Sequence, residues 1–139
     1  MEKVKELREI NAGDWQGKTF NELQTIYADR YAVWLENIGK KICPNGETVR
    51  NLSERIWAII SKIVKINTGR TIVVVMHATP IRTLYARFKG LDVERLKDVS
   101  WVSNASVSEI LIKDDQWILT KESIDEYLVG MQTRFPANV

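Results

Sequence analysis

Thr71-Ile72-Val73-Val74-Val75-Met76-His77-Ala78-Thr79-Pro80 joins a run of β-branched residues to the start of a helix. An unbroken apolar run of this length, just after a helix, predicts a strand over 71–76 that is buried on both faces, parallel and central in its sheet. Thr79 is a capping residue type, and Pro80 suits the first helical position because its missing N–H needs no partner there. The helix is expected to run to about Phe88, with Gly90 as its C-terminal stop. This order predicts an α/β domain. It also places His77 beyond the carboxyl end of a strand, where open α/β sheets bind ligands. The free N–H groups and partial positive charge of the following helix favour an anion. A histidine there has several readings: a cation on phosphoryl oxygens, a nucleophile, a base, or an incidental surface residue.

Upstream, the segment 47–66 reads as a helix. Val49, Leu52, Ile56, Ile59/Ile60 and Ile63 form one apolar stripe, with Arg50, Glu54, Ser61 and Lys65 facing away. Asn67-Thr68-Gly69 ends it, and Cys43-Pro44-Asn45-Gly46 is a loop before it. Thr19 and Glu22 have capping-box spacing, and Phe20, Leu23, Ile26/Tyr27, Trp34/Leu35 and Ile38 predict one helix ending near Gly39. Residues 4–11 are read as a short strand and Asn11-Ala12-Gly13-Asp14 as a turn. Downstream, 104–112 and 117–120 flank a turn at 113–116 and predict a β-hairpin. Ser123 and Glu126 predict a short last helix.

The length of 139 residues suits a single domain, and 45% hydrophobic residues with five tryptophans supply a core. A formal net charge of +2 with no dense Lys/Arg block gives no nucleic-acid footprint. Cys43 is the only cysteine, so no intrachain disulfide forms and a reducing compartment is expected. With no apolar leader and no run of membrane-spanning length, a cytoplasmic protein is expected. No metal-ligand cluster is present, and no cofactor is expected.

Glu9 lies among Glu6 and Arg8, and by itself reads as a solvated carboxylate. Four motifs change its weight. Leu7-Arg8-Glu9-Ile10-Asn11-Ala12-Gly13-Asp14-Trp15-Gln16-Gly17 is similar to the L-R-E-I-x-x-G-x-W-E-G stretch of the histidine phosphatase (phosphoglycerate mutase) superfamily. Pro44-Asn45-Gly46-Glu47-Thr48 resembles its P-x-G-E-S loop, residues 72–82 its strand-H-G-x-x-I-R segment, and Asn104-Ala105-Ser106-Val107-Ser108 its N-x-S-V-S strand.

The resemblance implies a three-layer α/β/α sheet, incomplete at the N-terminus, formed by a single partial domain over 1–139. It implies a phosphohydrolase or phosphomutase acting on a phosphate monoester through a phosphohistidine. Glu9 matches the family's proton donor, and His77 the histidine that stabilises the transferring phosphoryl group. The Ala78 N–H stands where a glycine amide reaches phosphate, and Glu47 and Thr48 match a loop at the pocket mouth. The family's nucleophile lies in an R-H-G motif that this sequence lacks. The isolated chain is therefore expected to be inactive, and to pair with copies of itself or with a complementing N-terminal segment. The alternative is a remnant that binds phosphorylated ligands or partners without turnover.

Overall fold

The computed structural model describes residues 1–40 and 43–132. Its elements are α1 (Phe20–Ile26), α2 (Ala28–Glu36), α3 (Val49–Ile66), α4 (Ala78–Phe88) and the strands β1 (Val107–Lys113) and β2 (Gln116–Ile124), linked by short 3₁₀ turns. The chain is α/β.

The helix α3 is the scaffold. The Thr48 hydroxyl caps it by accepting from the Asn51 N–H at 3.1 Å. Its stripe is as the periodicity requires, with Val49, Leu52 and Ile56 fully buried and Ile60 nearly so. Leu84 of α4 closes over Leu52, Ile56 and Ile60. The end of α4 follows backbone chemistry: Gly90 adopts φ +67, and the N–H groups of Gly90 and Leu91 reach the carbonyls of Arg87 and Ala86 at 3.0 and 2.8 Å. That doubly bonded glycine stop satisfies carbonyls the helix leaves open.

Two side chains lock α4 to the downstream half of the chain. Arg82, 1% exposed, donates through Nη2 to the carbonyls of Leu96 at 2.8 Å and Val99 at 2.9 Å. Its guanidinium lies 4.0 Å from the centre of the Trp101 ring, and burial lowers it to about 10. Tyr85, fully buried, shares a hydrogen bond with the Ser108 hydroxyl and accepts from the Ser123 N–H at 3.2 Å. The antiparallel hairpin also sets Trp117 against Trp57 and Phe88, with ring centres 4.8 and 5.9 Å away. Asp114 and Asp115 form its two-residue loop with φ of 50 and 60, the mirror-image turn that matches strand twist.

Several expectations are corrected. Residues 71–76 belong to no ladder among the described residues, where the hairpin is the only pairing. Val74 and Met76 pack on the Leu52 cluster, while Val73 and Val75 are 90% and 83% exposed. The alternation is that of a strand, with one face against the core and the other open, and among the described residues neither edge has a pairing partner. The sheet is thus incomplete among the described residues, as the resemblance implied. Helix α4 starts at Ala78, before Pro80, because any position in the first turn tolerates a missing N–H.

Residues 4–11 form a 3₁₀ turn at Lys5–Leu7 and then irregular chain instead of a strand. The expected helix over 20–38 breaks at Tyr27, with φ −127 and ψ 39. That break brings the rings of Tyr27 and Tyr31 to 6.2 and 6.3 Å from Trp15. The last helix is only a 3₁₀ turn, Glu126–Leu128, because β2 continues through Ile124.

The core assignment sets an expected contrast in urea unfolding. Ile56→Ala should lose about 2–5 kcal/mol. Val75→Thr should change stability by no more than about 0.5 kcal/mol, as at an exposed position. An equal loss at both positions would contradict the one-sided burial of residues 71–76.

Candidate active site

Residues 8–12 have no regular structure, so their neighbours place them. Leu7 and Ile10 pack on the apolar cluster of α3 and α4, leaving Arg8 and Glu9 between them. Asn11 and Glu47 then join two loops: the Glu47 N–H donates to the Asn11 carbonyl at 2.8 Å, and the Asn11 N–H to Glu47 Oε2 at 3.3 Å. Nearby, the Asp14 N–H donates to the Pro44 carbonyl at 2.9 Å. Gly13 makes this approach possible. With φ +52, a Cβ on it would lie 2.1 Å from the Pro44 carbonyl oxygen.

Arg55, two turns into α3, completes the arrangement. Its Nε and Nη2 grip Glu47 at 2.9 and 2.7 Å. Its Nη1 donates to the carbonyl of Glu6, and to that of Arg8 at 3.3 Å. Partial burial pushes the Glu47 carboxyl up, but the Arg55 hydrogen bonds, the Asn11 N–H and the Arg55 charge together hold it below the ordinary carboxylate value.

Glu9 and His77 line one depression of about 870 Å³, together with Asn11, Glu47 and Arg55. Glu9 Oε1 accepts from the Ile10 N–H at 2.7 Å, and Oε2 from the Thr79 N–H at a long 3.4 Å. The carboxylate thus reaches the first turn of α4, seventy residues away in sequence. His77 is the N-cap residue of α4, exposed, with its carbonyl accepting from the Ile81 N–H at 3.3 Å. Ala78 is half-buried against the core, and its N–H is the first amide of α4. Thr48 is not in the wall of the depression; its hydroxyl is used in capping α3. Among the described residues, no group of three or more His, Cys, Asp or Glu could hold a metal ion.

The opening is lined by a carboxylate and an imidazole, with Ala78 outside its wall. The carboxylate also meets one helix N-terminal amide, that of Thr79, and these groups are suited to proton transfer beside an anion. Sequence reasoning passed over Arg55. Arg55 lies about two turns into α3, and Glu47 stands in the loop just before that helix, so the acid–base pair across the helix start is the signal.

Comparison with known proteins is consistent across the chain. The family model for the histidine phosphatase superfamily (branch 1) matches residues 1–125. Phosphoserine phosphatase 1 of Hydrogenobacter thermophilus is 28% identical over 130 residues, covering 92% of this chain and 61% of its own length. Phosphoglycerate mutase-like protein 4 of Arabidopsis thaliana is 30% identical over 117 residues, covering 83% of this chain and 49% of that protein. Among solved structures, YhfR of Bacillus stearothermophilus superposes with a TM-score of 0.86 at 24% identity, over 91% of this chain and 62% of that one. The α-ribazole phosphatase of Shigella flexneri gives 0.73 at 25% identity, over 87% and 59%. The chain therefore spans less than two thirds of the length of these relatives.

The Glu47–Arg55 contact makes stability depend on pH in a defined direction. A carboxyl held below its unfolded value of 4.5 contributes stability that is present above that value and lost as pH falls through the folded one. Glu47→Gln should therefore cost most in urea unfolding near neutral pH, and the difference from the parent should shrink as pH drops below 4.5. A difference that grows on acidification would contradict the depressed value.

Proposed function

The chain belongs to the histidine phosphatase superfamily (branch 1), and on that footing we propose that it supplies the proton-donor half of a site for phosphoryl transfer from a phosphate monoester. The observation that carries this reading is the hydrogen bond from the Thr79 N–H to Glu9 Oε2, which joins the carboxylate to the helix turn beside His77. Glu9, protonated, gives its proton to the leaving oxygen as the bond from phosphorus to that oxygen breaks. His77, the Ala78 N–H and the positive end of α4 stabilise the charge on the transferring group. Glu47 forms the wall on the α3 side, and Thr48 fixes the start of that helix behind it.

The phosphoryl acceptor is a second histidine, and His77 is the only histidine in the 139 residues. The nucleophile therefore comes from polypeptide outside them, and the isolated chain turns over no substrate. The same segment also pairs with the backbone of 71–76, an exposed β-branched edge of the kind that recruits another strand. An alternative occupant of that edge is a second copy of this chain. Relatives named phosphoserine phosphatase and adenosylcobalamin/alpha-ribazole phosphatase support a small phosphorylated metabolite as substrate. A cytoplasmic setting is part of the proposal and rests on Cys43 being the single cysteine. The second reading, phosphoryl binding without turnover, is favoured by that same single histidine.

Hydrolysis of para-nitrophenyl phosphate separates these readings. The chain alone should show negligible turnover. Co-expression with an R-H-G-containing N-terminal segment of a relative should give a heteromeric complex that turns over. Glu9→Gln should then lower kcat by about 10²–10⁴. A complex that forms but stays inactive would favour binding only. Turnover by the chain alone that vanishes in His77→Ala would make His77 itself the nucleophile.

A further inference from the structure

We infer that the Glu47–Arg55 ion pair is a positioning device for Glu9, which aims the carboxylate at the first turn of α4. The inference rests on reading Glu9 as the proton donor, and it gives Glu47 a part other than substrate contact. Beyond the 3₁₀ turn at Lys5–Leu7, residues 8–11 carry Glu9 outside helix and ladder, so a few outside contacts set the direction of its side chain. The polar ones that reach across from α3 and its entry loop come from these two residues. Arg55 Nη1 donates to the carbonyls of Glu6 and Arg8, the second belonging to the peptide that leads into Glu9. Glu47 exchanges hydrogen bonds with both backbone groups of Asn11, two residues beyond Glu9. The carrier segment is thus held on both sides of the carboxylate.

The chemistry of the pair suits that work. Arg55 spends Nε and Nη2 on a two-pronged grip of Glu47, which leaves Nη1 pointing in a fixed direction at the carbonyls. A lysine has one ammonium on a flexible stem and cannot hold the carboxylate fork and both carbonyls together. The side chains are 26% and 15% exposed, so water screens them less than the Arg50–Asp92 bridge, also on α3, at 51% and 53%. Arg50 binds no backbone group of residues 6–11 among the described contacts, and it serves as the control.

The test is a double-mutant comparison read by two-dimensional amide NMR on the ¹⁵N-labelled 139-residue chain. In the parent, Glu9→Gln should shift two amides: Ile10, the adjacent residue, and Thr79, across the depression. In an Arg55→Ala background the Ile10 response should persist and the Thr79 response should be lost, with the amides of α3 still in place. Arg50→Ala should keep both. If Arg55→Ala does not fold, Arg55→Lys and Glu47→Gln give the same comparison with a milder change, and the Thr79 response should again be lost. A Thr79 response that survives in the Arg55 and Glu47 variants overturns the inference. So does a parent chain in which Thr79 ignores Glu9→Gln. The readout needs neither phosphate nor turnover, so an inactive complemented enzyme would refute the functional reading and leave this result standing.

Discussion

Residues 8–12 form neither helix nor ladder, so the grip of Arg55 and Glu47 on their backbone is the constraint that gives the depression its shape. Without it, Leu7 and Ile10 would still seek the apolar face of α3, but burial is non-directional and fixes no side-chain orientation. Hydrogen bonds to named carbonyls do. The loop 43–47 must come close for this, and Gly13 allows it, since any side chain there would collide with the Pro44 carbonyl. One charged pair, one glycine and two apolar anchors thus bring a carboxylate from the start of the chain to a helix that begins at Ala78.

The other side of the depression is made rigid from behind. Arg82 is buried, yet its Nη2 meets two backbone carbonyls and its guanidinium plane a tryptophan face. A buried cation is costly unless satisfied in this way. Tyr85 ties the same helix to the hairpin through Ser108 and Ser123. His77 and Ala78 therefore sit at the end of a helix fixed on two sides, and Val74 and Met76 of the preceding residues 71–76 pack on the core.

The sequence was most informative where local and tertiary preferences agree. Helix α3 has an apolar stripe and a hydroxyl cap, and the hairpin has a two-residue turn of aspartates. Both were legible within a few residues. The break at Tyr27 was not, because it depends on rings meeting Trp15 from elsewhere in the chain. The strand-like run 71–76 was misread as central because its composition records a preference for burial on both faces, while the described residues cover only one. His77 was legible from its place between a β-branched run and a helix start, whereas Glu9 was found through motifs, since neither charge nor spacing distinguishes it from Glu6. Arg55 was missed because an arginine on an amphipathic helix reads as solvated surface until its partners are known.

The central claim is that Glu9, His77 and the first turn of α4 make one anion-binding, proton-donating site. Titrating inorganic phosphate into the ¹⁵N-labelled chain tests it most directly. The account predicts saturable shifts of the Ala78 and Thr79 amides and of the His77 ring that disappear in His77→Ala. Saturable shifts confined to another part of the molecule, such as the arginine-lined hollow around Arg50 and Arg87, or no saturable shift at all, would contradict it.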